Sequence, residues 1–283
     1  KSVIFPTGLV LLNENFNNLV LNPAVDEGLI SNGGCTDAIP EIILGWTNEP
    51  PINWIIDNSN MPNSGTLEWR GWSFASMEFW VMADDQLRSQ FSGGNQTIAV
   101  ADPDEWDDCG NGAALGSFNS VLSSPSISVQ NGYELQLSFN SHFRNESPQE
   151  IYLTYNTSES ETTLLHYSNN LNSDNNGQDA LDEFLQFSIN VESDELIQFN
   201  WKMVEAGNNW YWAIDNVLVQ ILTPALGDLN NDGNINILDV ITIVNIILGL
   251  TDSHTILSYI SDINRDGITN IIDIIQLVNH ILY

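Results

Sequence analysis

The chain has 283 residues, 42% of them hydrophobic, enough for one large domain or two unequal ones. It carries 37 acidic residues against 6 Lys plus Arg, a formal net charge of −31, which argues against nucleic acid as a partner because neutralising phosphates takes cations. It contains no run of eighteen apolar residues, which argues against a membrane-spanning helix. Such an anionic chain must limit self-repulsion, by binding divalent cations or by working at high salt, unless the charge serves only solubility.

In chain order, residues 1–222 read as β. All nine tryptophans lie before residue 213, four of them as Trp69, Trp72 and Trp80 in LEWRGWSFASMEFW and as Trp106. These four are candidates for stacking on sugar rings; the competing reading is that large aromatics fill a core. Strands are predicted at 98–100, 132–139, 151–155, 187–191, 196–203 and 217–221. Within 196–203, Ile197, Phe199, Trp201 and Met203 share one face at period two. Many short alternating strands separated by polar loops predict an antiparallel sandwich. Cys35 and Cys109, the only cysteines, would pair in an oxidising compartment and close a long loop worth about 2–4 kcal/mol; in a reducing one they are two thiols.

A short Pro/Gly segment, 223–227, marks a linker between 1–222 and a second unit, 226–283. There DLNNDGNINILD (228–239) recurs 34 residues later as DINRDGITNIID (262–273). Calcium takes six to eight oxygen ligands, and a twelve-residue loop supplies them from positions 1, 3, 5, 7 (a carbonyl), 9 and 12, with Gly at 6. The spacing predicts Asp228, Asn230, Asp232, Asn234, Asn236 and Asp239 around one Ca2+, and Asp262, Asn264, Asp266, Ile268, Asn270 and Asp273 around a second. Gly233 and Gly267 stand at position 6. The competing reading is a pair of Asx turns that cap helices. Apolar helices follow each loop, the first over 238–248 with Gly249 as its stop. Their polar residues cover about a third of the circumference. The apolar remainder, including Ile237, Leu238, Ile241, Val244, Ile271, Ile272, Ile275 and Val278, predicts a docking face, unless residues 250–260 cover it.

Two resemblances follow from these residues. Leu12-Asn13-Glu14-Asn15-Phe16 and Trp210-Tyr211-Trp212-Ala213-Ile214-Asp215-Asn216-Val217 are similar to the opening and closing motifs of bacterial jelly-roll domains related to MAM domains. That resemblance implies a two-sheet sandwich of a secreted or adhesive protein. It also implies a structural calcium near one end, with Glu14, Asp102, Asp104, Asp108 and Asp215 as candidate ligands. The tail, with Asp at loop position 12 and no helix entering the first loop, resembles a type I dockerin. This implies a calcium loop plus helix, twice, in pseudo-twofold symmetry, and cohesin modules as partners. The chain departs from the pattern at Thr269, where Ile or Val is usual, and at Ile237-Leu238 and Ile271-Ile272, where Ser-Thr is familiar.

No GxSxG, HExxH, Walker or CxxC motif occurs, and His142, His166, His254 and His280 lack metal-ligand spacing. The expected protein is therefore mostly β with a small α tail: a jelly-roll sandwich followed by a two-helix calcium-binding module. Its expected role is non-catalytic extracellular attachment, the partner being a cohesin-like protein or another copy of the chain, with surface glycan as a further candidate. The alternatives are a self-assembling matrix or filament subunit, and a hydrolase accessory or carbohydrate-binding protein.

Overall fold

A computed structural model describes residues 9–23, 44–107, 116–129, 133–168, 179–222, 226–230, 232–251 and 255–282. Cys35 and Cys109, with their predicted disulfide, and Asp108 lie outside the described residues.

Fourteen strands are described: β1 Leu9–Glu14, β2 Asn22–Pro23, β3 Leu44–Thr47, β4 Ile55–Asp57, β5 Trp72–Ser76, β6 Thr97–Ala101, β7 Phe118–Ser123, β8 Ile127–Val129, β9 Glu134–Arg144, β10 Glu150–Asn156, β11 Glu161–Tyr167, β12 Ala180–Asn190, β13 Glu195–Ala206 and β14 Trp212–Leu222. They form two antiparallel sheets. One runs β12-β9-β14-β6-β5-β3-β2 with β1 also on β14; the other runs β11-β10-β13-β7-β4 with β8 also on β13. Two short helices, α1 Met77–Ala83 and α2 Pro103–Asp107, follow β5 and β6.

Period-two patterning explains the layers. In β13 the predicted face, Ile197, Phe199, Trp201 and Met203, is fully buried, and in β9 so are Leu135, Leu137 and Phe139. Aromatic side chains interlock within and between the sheets: Trp72 of β5 lies edge-on to Trp212 of β14 in the same sheet at 5.4 Å, and Trp201 of β13 lies edge-on to Phe139 of β9 across the gap at 5.6 Å.

The four candidate sugar-stacking tryptophans belong to this core, which corrects that expectation. Trp69, Trp72, Trp80 and Trp106 are at most 1% exposed and present no ring face to solvent. Three of their indole N–H groups donate inside the protein: Trp72 to the Trp201 carbonyl (3.1 Å), Trp80 to Asp102 (2.8 Å) and Trp106 to the Ser64 carbonyl (2.8 Å). Burial of the ring outweighs exposure, and in these three the polar atom is satisfied within the fold, while the Trp69 indole N–H is buried without a hydrogen-bond partner.

Residues 226–282 carry helices α3 Ile237–Ile247, α4 Thr255–Ser261 and α5 Ile271–Leu282. The tail thus has three helices where two were expected. Among the described residues no helix is long and apolar enough to cross a membrane. α3 and α5 pack together with Val240, Ile243 and Leu277 buried, and Ile260 of α4 is buried as well. Gly227, at φ +93°, donates its N–H to the Ile260 carbonyl, and a Cβ there would stand 2.7 Å from Leu277. Glycine is required by both the backbone conformation and the close approach.

Candidate metal centres and docking surface

The two tail loops share one hydrogen-bond pattern, to which the first adds Leu229 N–H to Asp239 (2.8 Å) and the Asn234 side-chain amide to the Asp232 carbonyl (3.2 Å). In the first, Asp228 accepts from the N–H groups of Asp232 (3.2 Å) and Gly233 (2.9 Å); in the second, Asp262 accepts from Asp266 (3.1 Å) and Gly267 (2.8 Å). Asp239 accepts from Asn230 N–H (3.2 Å) and Asn236 N–H (2.8 Å); Asp273 accepts from Asn264 (3.1 Å) and Asn270 (2.8 Å). Asn230 and Asn264 each donate a side-chain amide to the aspartate two residues on, Asp232 and Asp266. Asn236 and Asn270 each donate to the position-7 carbonyl, of Asn234 and Ile268, at 3.1 Å. Gly233 and Gly267 take φ +81° and +87°, the left-handed turn that position 6 demands.

The same residues start the helices. Asn236 is the N-cap of α3, accepts the Leu238 N–H at 2.8 Å, and forms a capping box with Asp239. Asn270 accepts the Ile272 N–H at the same distance. The Asx-capping reading therefore holds for the hydrogen bonds, but it is compatible with ion binding, since each carboxylate keeps further lone pairs.

The chemistry of the donor set decides whether a dication fits. Among the described residues no three His, Cys, Asp or Glu side chains already converge as a ligand cluster, because the loop carboxylates are turned onto backbone N–H groups. All the loop donors are nevertheless oxygens, the hard ligands that calcium takes. Asp239 and Asp273 are fully buried and Asp228 nearly so, and among the described residues no cationic side chain pairs with them. Like charges buried together are costly without a countercharge, and a dication is the countercharge that oxygen donors accept. The residues fit calcium.

Thr269, the departure at loop position 8, has a local reason. Its hydroxyl lies 2.7 Å from that of the fully buried Ser261 at the end of α4, so the two polar groups satisfy each other.

Of the predicted docking residues, Ile237, Leu238, Ile241, Ile271, Ile272 and Ile275 are exposed. Val244 and Val278 are half-buried, and Leu248 and Leu282 are exposed members the sequence reading missed. Their signal was the last turn of each helix, one turn beyond the predicted stripe. Within 250–260, of which 250–251 and 255–260 are described, Ile260 of α4 is buried, while these side chains stay exposed.

The four described candidate ligands in the sandwich, Glu14, Asp102, Asp104 and Asp215, do not form one site, a second correction. Asp102 is buried beside the fully buried Arg88 (3.1 Å), which also pairs with Glu105 and lies over the Trp80 and Tyr211 rings. Arg88 donates to the Trp80 carbonyl (2.9 Å) as well. Asp102 therefore already has its countercharge. Asp104 accepts from Gln86 (2.7 Å), and burial, with the Asp102 charge behind it, pushes its carboxyl up to about 6.

Glu14 and Asp215 stand apart from these. β14 pairs with β6 up to Ile214↔Ala99, and with β1 from Glu14↔Val217. Asp215 and Asn216 fall between the two pairings, where the register with β9 also shifts and Asn216 takes φ 55°. The bulge leaves Asp215 fully buried, accepting from Asn95 N–H (2.9 Å) and Asn216 N–H (2.6 Å). Burial pushes its carboxyl up to about 7 against those bonds, and the Glu14 charge adds to the rise. The Glu14 charge acts on Asp215 here, and no cation pairs with either among the described residues.

With this geometry in hand, comparison with known proteins places the tail. Residues 226–282 match the type I dockerin domain. No curated protein matches the chain. Among solved structures, the K3 cleaved adhesin domain of Lys-gingipain from Porphyromonas gingivalis W83 aligns at TM-score 0.39 and 11% identity, over 75% of this chain and 99% of that one. TmCBM61, solved in complex with β-1,4-galactotriose, aligns at 0.34 and 12%, over 59% and 88%. An apo-form cyclase from Fischerella sp. aligns at 0.38 and 12%, over 68% and 94%. Likeness at these scores carries neither ligand nor activity to this chain. The chain thus carries a docking module of the dockerin type, and calcium is the cation that module implies.

Proposed function

We propose that this is an extracellular, non-catalytic attachment protein of two units. Residues 1–222 are a jelly-roll body, 223–227 a linker, and 226–283 a calcium-stabilised dockerin-like module that docks the body onto a cohesin-like protein. The observation that carries this reading is the shared hydrogen-bond pattern of two loops whose buried aspartates have no protein countercharge among the described residues.

Asp228, Asn230, Asp232, Asn236 and Asp239, with the Asn234 carbonyl, would hold one ion. Asp262, Asn264, Asp266, Asn270 and Asp273, with the Ile268 carbonyl, would hold the other. Each ion supplies the positive charge that lets three carboxylates share one turn. The chain's own residues then do the rest: Asn236 and Asn270 cap α3 and α5, and the helices present their apolar side chains. Glu14 and Asp215 are the candidates for a third, structural ion in the sandwich.

Calcium titration of the intact chain by calorimetry tests the assignment. Two tail ions are expected, with Asp239→Ala and Asp273→Ala each deleting one and Asp215→Asn deleting any third. No binding heat in the wild type would overturn it.

A further inference from the structure

The two sheets of the sandwich cover each other face to face, and what they leave open lies at the side. β12 ends its sheet. It pairs with β9 over its whole length, from Ala180↔Arg144 to Asn190↔Glu134, without a register shift, and among the described residues no strand lies on its other side. Alternate residues of β12 turn their backbone N–H and C=O groups to that side, where they form a template for one more strand.

Side-chain burial points the same way. Phe187 and Leu185 stand opposite Leu137 and Phe139 of β9, which are fully buried, yet both are only half-buried themselves; so is Leu181, opposite the buried Phe143. On the other face of β12, Phe184 is 65% exposed between Asp182 and Gln186. A neighbouring strand would remove these apolar surfaces from water.

Edge strands are commonly blunted by Pro, Lys, a bulge or an inward-pointing charge. β12 carries no Pro, no Lys and no bulge. Its inward charge, Glu183, accepts from the Tyr167 hydroxyl of β11 at 3.0 Å, and Asp182 accepts from the Ser92 N–H at 3.2 Å. Both acids bond within the fold. What β12 offers a neighbour is therefore backbone, Leu, Phe and uncharged polar side chains.

The strand that complements this pattern is β12 itself. Antiparallel pairing of two copies about a twofold axis at Phe184 sets Phe184 against Phe184, Leu181 against Phe187, Asp182 against Gln186 and Glu183 against Leu185. Apolar side chains meet on the inner face, aromatic rings meet on the outer face, and no acid stands directly opposite an acid. We propose that the protein self-associates through this edge, β12 of one copy pairing with β12 of a second so that two sheets continue as one. The proposal is independent of the docking reading and leaves the tail helices free.

The net charge of −31 on each copy opposes the approach, so salt screening decides when the seam forms. Residues 181–187 span only about 23 Å, a small contact of the transient class.

Sedimentation of the full, calcium-loaded chain at about 5–200 µM tests the proposal, since small interfaces are weak. Raising NaCl from about 0.1 to about 1 M shortens the Debye length from about 10 to about 3 Å and should tighten a monomer–dimer equilibrium about tenfold or more. At high salt, Phe184→Glu should weaken the dimer at least about tenfold by setting two carboxylates face to face. Ile52→Glu, equal in charge and 88% exposed elsewhere on the sandwich, should leave it unchanged. Hydrogen exchange on the unaltered chain gives a readout that needs no variant: the alternate amides of 181–187 that do not bond to β9 should gain protection as the dimer forms. A monomer at every salt and concentration overturns the proposal. A dimer that Phe184→Glu leaves intact, with no β12 amide newly protected, overturns it in favour of another surface such as the tail helices. Protection of those amides already in the monomer overturns it in favour of a segment of the same chain lying along β12.

Discussion

The sandwich and the tail handle buried charge and apolar surface in opposite ways. In the sandwich, Asp102 and Glu105 enclose Arg88, the Trp80 and Tyr211 rings flank its guanidinium, and the large aromatics are turned inward. In the tail, Asp239 and Asp273 are as deeply buried as Asp102 but have no arginine, while isoleucines and leucines point outward. A region that carries its own countercharge and covers its own apolar area is complete as a chain. A region that does neither is completed from outside, by an ion for the acids and a partner for the helices.

The largest effect that would break this contrast is chelation. Stripping calcium should unfold or strongly loosen 226–282 and leave the sandwich folded, because ion binding and folding of such a loop are one free-energy change. Circular dichroism should show loss of helical signal with the β signal retained, and the thermal melt should split into two transitions. A single unaltered transition in chelator would make the tail self-sufficient, like the body. Next in size is Arg88→Ala. It removes the countercharge from inside the sandwich and should destabilise that unit by about 3–5 kcal/mol, since two buried acids lose the cation beside them. Chemical denaturation read at tryptophan fluorescence measures it, and calcium binding by the tail should not change.

The sequence exposed these two regions unequally. The turn architecture of the tail loops was legible because it is local: twelve residues contain the turn glycine, the aspartates that accept backbone N–H groups and the helix cap, and the repeat doubles the signal. The strands 132–139 and 196–203 were legible through period two; the first overlaps the opening half of β9, which runs on to Arg144, and the second lies within β13. The tryptophans were not, because a ring that stacks on sugar and one that fills a core have the same composition, and only the packing of one sheet on the other brings the Trp72 indole N–H to the Trp201 carbonyl. Asp102 and Asp215 looked alike among 37 acids. What separates them is Arg88, far along the chain from Asp215, and a bulge set by which strand flanks β14 at each end.

Asp215 sharpens the contrast at the one place where the sandwich behaves like the tail. Its carboxyl sits near 7 in the metal-free fold, against about 3.9 in an unfolded chain. A raised acid binds more protons folded than unfolded. Its contribution to stability is therefore fully present below about pH 4 and is lost as pH rises through about 7. In chelator, Asp215→Asn should flatten that part of the stability–pH curve. With calcium at Glu14 and Asp215 the wild-type curve should flatten too, because the ion holds the carboxylate charged. A calcium-insensitive slope between pH 4 and 7 would leave Asp215 a protonated core residue and confine ion binding to the tail.

The smallest effect separates capping from ion binding within one side chain. Asn236→Ala removes both the N-cap acceptor for the Leu238 N–H and one loop oxygen. Loss of the cap alone costs about 1 kcal/mol and should appear equally with and without calcium. Any additional loss seen only in calcium measures the asparagine's part in holding the ion. Asn270→Ala, with the same bond to Ile272, should repeat the result in the second loop. If either variant lost stability only in chelator, the loop would be a capped turn that works best without an ion, and the tail would need nothing more than the sandwich does.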